Sequence, residues 1–169
     1  MPQPKEYDLS PIRATIITFS DRVLSGQREA RGARACADAL TAAGLSHVAP
    51  AVVPEQRGAL ESQVRGAIAA GSRLVLVLGG SGFGVGNVAP EVVREVVEVE
   101  IPGIAEQIRA HGLKSTPLSG LSREVVGVSA RDSGALIISS PGSRGGALDT
   151  LAVLVPLLPA VFGQLDEER

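Results

Sequence analysis

Leu74-Val75-Leu76-Val77-Leu78-Gly79-Gly80-Ser81-Gly82 is the stretch that decides the fold. Its five apolar residues run without a polar break, the pattern of a strand buried on both faces. The chain then passes directly into glycine, which fills five of the eight positions from Gly79 to Gly86. Such a loop lets backbone N–H groups approach a ligand closely, and beside a helix start it forms a nest that favours phosphate. The same composition also suits a plain strand-to-helix turn. Neither the GK[ST] of a phosphate-binding P-loop nor the GxGxxG spacing of a dinucleotide fold is present. Pro90 at a first-turn position and Glu91 near the positive helix end predict a helix after the loop.

Strands and helices alternate outward from this centre. Ala14 to Phe19 is a β-branched run and reads as a strand, followed by a loop over Ser20 to Gly26. Ala33 to Ala43 has helical spacing, with Cys36, Leu40 and Ala43 on one face and Gly44 as a stop. His47 to Val53 is a second strand ended by Pro54. Gly58 to Ala70 is a helix with Leu60, Val64 and Ile68 in register. Ile101-Pro102-Gly103 opens a further segment carrying Ile104 and Ile108. Glu124 to Val128 reads as a short strand or a turn, and Ala135 to Ser139 as a strand. A last helix is expected from about Ala147 to Gln164, bent at Pro156.

This order predicts a three-layer α/β/α sandwich on a mostly parallel sheet with right-handed crossovers. The expected organisation is a flexible N-terminal tail over 1–11, a single domain over 12–165 and a C-terminal tail over 166–169. Ligands of such sheets bind beyond the carboxyl ends of the strands. Three loops lie there, at Ser20–Gly26, Gly79–Asn87 and Ser139–Gly146, and their convergence predicts a site. The third loop, Ser140-Pro141-Gly142-Ser143-Arg144, offers two hydroxyls, open backbone and a guanidinium. It also has the composition of an ordinary turn. Two such loops favour a ligand with phosphate at one end and a polar ring or second phosphate at the other. Ser20-Asp21-Arg22 and Leu121-Ser122-Arg123 bring further hydroxyls and guanidiniums, although a turn-capping Asp21 and a solvated Arg123 are the commoner cases.

Composition excludes several classes. The 169 residues suit one core, and with 44% hydrophobic but only 2% aromatic residues that core rests on Val, Leu, Ile and Ala. A net charge of −2 and few aromatics give no basic face and no stacking platform for nucleic acid. No apolar run approaches the ~20 residues of a membrane span, and the longest, Leu151 to Phe162, is broken by Pro156 and Pro159. The lone Cys36 reads as a buried small hydrophobe and fits a cytoplasmic location. His47 and His111 lack partners at zinc-ligand spacing, and no GxSxG elbow supports acyl transfer.

Taken together, Ser20-Asp21-Arg22 with Ser25-Gly26, Gly79-Gly80-Ser81-Gly82, Val88 with Pro90-Glu91, Ile101 to Glu106, Leu121-Ser122-Arg123 and Ser140 to Ser143 form an ordered, specific set. Over roughly Ile12 to Leu165 the chain resembles the molybdopterin adenylyltransferase family of molybdenum cofactor synthesis, the Mog/MoaB group, also related to the first domain of gephyrin. The resemblance implies a homotrimer, in some members a hexamer, contacts with other molybdenum cofactor enzymes, and molybdopterin as ligand. It also implies adenylylation of the ligand's phosphate with ATP and Mg²⁺. On this basis Ser20, Asp21, Gly79, Gly80, Ser81, Gly82, Glu91, Ser122, Arg123, Ser140, Pro141, Gly142 and Ser143 bind substrate, and Glu55 and Asn87 are catalytic. The apolar stretches Val153 to Phe162 and Ile101 to Ile108 are candidates for subunit burial.

The chain departs from the family pattern at several points. Ser81 stands for Thr, and Ala30-Arg-Gly-Ala-Arg34 for an Asp-x-Ser-Gly-Pro stretch. Ser139 takes the place of an Asn, Glu55 that of one aspartate, and Asn87 that of the aspartate serving the metal. An amide brings Mg²⁺ no negative charge, although its oxygen can coordinate. These changes leave two readings: an adenylyltransferase, or an impaired paralogue acting as a molybdopterin-binding module.

Overall fold

The computed structural model describes residues 6–167. The chain runs β1 (Arg13–Phe19), α1 (Asp21–Leu24), α2 (Arg31–Ala42), β2 (His47–Val53), α3 (Arg57–Ala69), β3 (Leu74–Leu78), α4 (Ala89–Val96) and β4 (Val99–Glu100). It continues through α5 (Pro102–Gly112), a 3₁₀ turn at Pro117–Leu121, β5 (Val126–Val128), β6 (Leu136–Ser140) and α6 (Arg144–Leu154). A second 3₁₀ turn at Val155–Leu157 leads into α7 (Leu158–Leu165).

The strands form one sheet in the order β2-β1-β3-β6-β5-β4. β1 pairs in parallel with β2 and β3, and β3 with β6, while β5 runs antiparallel to both β6 and β4. The alternation inside β3 builds the two faces of the sheet. Leu74, Leu76 and Leu78 join Ile16, Cys36, Leu40, Leu151 and Phe162 under α2, α5, α6 and α7. Val75 and Val77 join Ile17, Leu60, Val64, Val92 and Val93 under α3 and α4. All five β3 residues are buried, as a central strand requires, and each such side chain contributes about 1.5–3 kcal/mol on leaving water. The expected three-layer α/β/α sandwich is therefore present. β2 lies at the edge, where Pro50 leaves no central ladder bond unmade.

Several expectations are corrected. The loop expected from Ser20 to Gly26 contains the one-turn helix α1. The last helix starts at Arg144, earlier than expected, and changes to 3₁₀ around Pro156 without ending. The resulting run Arg144–Leu165 is long and apolar enough by length and composition to cross a membrane, contrary to the reading of its sequence. Here Leu151, Leu154, Leu158 and Phe162 are core. Within the two stretches expected at a subunit boundary, Leu154, Leu158, Phe162, Ile104, Ala105 and Ile108 are buried in the protomer, and the remaining residues keep exposed surface. The exposed large hydrophobics are Leu24, Val52, Phe83, Val85, Leu113, Leu118 and Leu121.

The described parts of the expected tails are docked. Leu9 is buried, and the Tyr7 hydroxyl donates to the Asp166 carboxylate. Asp166 also pairs with Arg73 at 2.7 Å, whose guanidinium lies 5.2 Å from the centre of the Phe162 ring. The remainder of those expected tails, 1–5 and 168–169, lies outside the described residues.

Candidate functional site

Because β1, β3 and β6 are adjacent and parallel, the loops that follow them meet at one edge of the sheet. The Gly79 N–H donates to the Ser140 carbonyl at 3.0 Å, joining the second loop to the third. Gly79 has φ +104°, and a Cβ there would lie 2.7 Å from the Phe19 carbonyl oxygen, so only glycine fits between the first and second loops. The Ser20 N–H donates to the Val53 carbonyl, and the Glu55 N–H to Asp21 Oδ1 at 3.0 Å, which ties the end of β2 into the cluster.

A cleft of about 480 Å³ opens between these loops and the start of α2. Of the residues expected at the site, Ser20, Glu55, Gly79, Gly80, Gly142 and Ser143 line it. Arg28, Glu29, Ala30, Arg31 and Arg144 stand around them, and Thr18 lies at the end of β1. Ser20 also caps α1, its Oγ accepting from the Val23 N–H at 3.2 Å, a role the sequence had suggested for Asp21.

The glycine loop divides in two. Gly79 and Gly80 face the cleft, whereas Ser81, Gly82 and Asn87 do not line it and the segment they span folds upon itself. Asn87 Oδ1 accepts from the Gly84 N–H at 2.9 Å. Arg123 clamps the same segment. Its backbone N–H donates to the Ser81 carbonyl at 2.8 Å, Nε to the Gly82 carbonyl at 2.7 Å and Nη2 to the Asn87 carbonyl at 2.8 Å. Nη1 reaches Glu91 at 2.5 Å, and this ion pair holds the Glu91 carboxyl below its usual range. Arg123 and Glu91 thus shape the loop from behind.

A second cleft, about 410 Å³, lies on the other side of Ser143. It collects Ser122 and Pro141, which do not reach the first cleft, together with Ser119, Asp149 and Glu124. Ser143 lines both clefts, and its Oγ accepts from the Gly146 N–H at the start of α6. Glu124 is 5% exposed, and burial pushes its carboxyl up to about 8 against the opposing hydrogen bonds of Thr150 and Ser122 and the charge of Arg109. Thr150 Oγ1 sits 3.3 Å from Glu124 and 2.9 Å from the Ser140 hydroxyl, so a chain of polar groups runs from the second cleft to the buried end of β6, and Ser140, expected to bind substrate, lines neither cleft.

Sequence reasoning did not single out Thr18, Arg28, Arg31, Glu124 or Thr150. Thr18 carries the one buried side-chain polar atom without a partner among the described residues. An unmade bond of this kind costs about 1–3 kcal/mol. Among the described residues no group of three His, Cys, Asp or Glu side chains gathers around a common point, so a cation here would draw on fewer carboxylates and on the ligand's own oxygens.

Residues 15–160 match the family described as "Probable molybdopterin binding domain". The chain is 33% identical over 151 residues to a molybdenum cofactor biosynthesis bifunctional protein of Synechococcus elongatus, covering 89% of this chain and 46% of that one. It thus spans about half the length of that relative. It is 30% identical to the molybdopterin adenylyltransferase of Escherichia coli, covering 85% of this chain and 73% of the relative. Among solved structures it is similar to the molybdopterin biosynthesis enzyme MoaB of Thermus thermophilus, with TM-score 0.82, 34% identity and coverage of 91% and 96%.

Proposed function

The chain belongs to this molybdopterin-binding family of molybdenum cofactor biosynthesis, and from that premise we propose that it binds molybdopterin at the edge of its sheet and adenylylates it. The observation that carries the reading is the meeting of the loops after β1, β3 and β6 at one cleft, with Gly79 and Gly80 presenting backbone beside three arginines. Molybdopterin is the ligand and ATP the co-substrate. An oxygen of the terminal phosphate attacks the α-phosphorus of ATP, the bond to the bridging oxygen breaks, and pyrophosphate leaves. The work of this chain is positioning and charge. Gly79 and Gly80 keep the wall of the cleft flat, Ser143 stands between its two halves, and Arg28, Arg31 and Arg144 offset phosphate charge.

Magnesium takes oxygen ligands and is commonly held by one or two carboxylates together with substrate phosphates. Glu55 lines the cleft, and Asp21, at the start of α1 and outside that lining, is tied to it by the bond from the Glu55 N–H to Asp21 Oδ1. Bound there, the cation would neutralise triphosphate charge. The two-cleft layout supports a ligand that straddles Ser143. The homotrimer is part of this proposal, and light scattering at three times the protomer mass of 17.3 kDa checks it.

One observation favours a second reading, a molybdopterin-binding module without turnover. The side-chain oxygen of Asn87 is engaged by the Gly84 N–H, so the residue that replaces an expected metal carboxylate is occupied inside its own loop. Incubating purified protein with molybdopterin, ATP and Mg²⁺ beside an active control separates the two. Adenylylated pterin detected by mass spectrometry supports the enzyme. Binding without product leaves only the module.

A further inference from the structure

Glu124 has no task in the chemistry above, although its residue lines the second cleft and is almost wholly buried. The nearby guanidinium of Arg109 bonds through Nη1 to the backbone carbonyls of Ser122 and Glu124, at 3.5 and 3.3 Å, and not to the carboxyl. The carboxyl instead heads a row of hydroxyls. Glu124 Oε2 stands 3.3 Å from Thr150 Oγ1, Thr150 Oγ1 stands 2.9 Å from Ser140 Oγ, and Ser140 Oγ stands 3.1 Å from the Pro141 carbonyl oxygen. On the other side Oε1 is 3.5 Å from Ser122 Oγ. The row ends on the loop after β6, where Pro141 lines the second cleft, Gly142 the first and Ser143 both. The Gly146 carbonyl, 3.1 Å from Thr150 Oγ1, has its regular N–H partner within α6.

A count of protons shows how the row is wired. Three contacts link four groups, and each contact holds one proton. A neutral Glu124 makes the number complete: its own proton goes to Thr150, that of Thr150 to Ser140, and that of Ser140 to the Pro141 carbonyl. An ionised Glu124 leaves two protons for three contacts. The carboxylate is the strongest acceptor in the row and draws the Thr150 proton. The two buried hydroxyl oxygens, 2.9 Å apart, then need the Ser140 proton between them. Pro141, at the far end, goes without.

We propose that Glu124 is a positioning residue for the ligand loop: in its neutral form it points the Thr150 and Ser140 hydroxyls outward so that Ser140 holds the Pro141 carbonyl, and on ionisation it reverses them and releases that peptide. The Pro141–Gly142 peptide joins the lining of one cleft to the lining of the other, so its orientation acts on both. Burial brings the changeover to about pH 8, against the bonds of Thr150 and Ser122 and the charge of Arg109 on α5. Asp149 on α6 adds to the rise and itself faces His111 of α5 at 3.5 Å. β5 and β6 bring no titratable residue. The effect on a ligand rests on the cleft being the site of the proposed function, whereas the wiring of the row does not.

The test follows the ligand-free, full-length protein by NMR between pH 5 and 10. The Glu124 carboxyl carbon, the Pro141 carbonyl carbon and the Gly142 amide should titrate together, with a midpoint at about 8. Glu124→Gln, whose amide N–H takes the place of the acid proton, should hold the loop signals at their low-pH positions throughout. Thr150→Val and Ser140→Ala each remove one hydroxyl from the row. In both variants Glu124 should still titrate while Pro141 and Gly142 stay still. A charge felt through space would move Pro141 and Gly142 in these variants as in the parent, and that result would overturn the proposal. A Glu124 carboxyl that titrates in the parent without Pro141 following, or that does not titrate in this range, would do the same. Calorimetry with ATP is read separately. The parent should bind as Glu124→Gln does at pH 6.5 and about three- to tenfold more weakly at pH 9.5, the share of one neutral hydrogen bond. Equal binding at pH 9.5 beside a titrating loop would overturn the positioning role. A titrating loop in a protein that binds no ATP at either pH keeps the wiring and loses the proposed function.

Discussion

Arg123 holds Glu91 at two points, Nη1 to Oε1 at 2.5 Å and Nη2 to Oε2 at 3.4 Å, while its Nε donates to the Gly82 carbonyl. One planar guanidinium thereby fixes the far half of the glycine loop to the first turn of α4. A lysine has no such fork. Arg123→Lys and Arg123→Ala should both lower stability by about 1–3 kcal/mol in urea unfolding. Both should weaken ligand binding through loop disorder. Partial exposure of the pair tempers its electrostatic share, leaving the carbonyl bonds as the larger part. A lysine variant as stable as the parent would show that charge alone matters.

Gly79 has no room for a methyl group. Its φ of +104° and the Phe19 carbonyl oxygen 2.7 Å from an ideal Cβ act together. Gly79→Ala should cost about 2–3 kcal/mol and distort the junction with Ser140. Chemical denaturation reads the first effect, and loss of phosphate protection against melting reads the second.

Asn87→Asp should preserve the loop, because one carboxylate oxygen can still accept from the Gly84 N–H as Oδ1 does now. The other oxygen is then available as a charged ligand for a cation. If the amide is what limits turnover, the rate of adenylyl transfer should rise at least tenfold with an unchanged melting temperature. No gain would remove Asn87 as the limiting group.

Glu124 predicts a pH dependence. Burial raises its pKa in the folded protein to about 8 from an ordinary value of 4.5, so the folded state keeps a proton that the unfolded chain gives up. The stability linked to this group is complete below the unfolded value, declines as pH rises, and is lost once pH has passed through the folded value. Asp149 adds to the shift, while Arg109 opposes it. Glu124→Gln should flatten this dependence and melt about 2–4 °C above the parent at pH 9, equivalent to ~1 kcal/mol. Parallel curves for both proteins between pH 5 and 9 would contradict the assignment.

The backbone of the site was legible in the sequence because it depends on local pattern. The uninterrupted β3 run and the three small-residue loops predict both the sheet and the edge at which they meet. Partners distant in the chain were not legible. The resemblance gives Arg123 to the substrate and its tripeptide alone suggests a solvated arginine, and neither points to its grip on the Gly82 carbonyl, which is far away in sequence. Glu124 followed Ser122-Arg123 with nothing to mark it as buried, since its burial depends on Thr150 arriving from α6. Thr18 looked like any β-branched strand residue, and only the missing partner distinguishes it. The two-residue β4 carries too little pattern to be recognised. The docking of Tyr7 depends on Asp166 at the opposite end of the chain.

The register that sets Thr18 opposite Leu78, and Leu78 opposite Ser140, also has a kinetic consequence. Each of these pairings closes a long stretch of chain, and such closures are the slow steps of folding. The three walls of the cleft are therefore expected to meet only in the steps that join β1 to β3 and β3 to β6. A chain that has only collapsed, with its helices formed, offers a ligand nothing to hold. Binding competence should return in refolding with the slowest phase alone, which makes the ligand a reporter of completed folding and a trap for the finished protein.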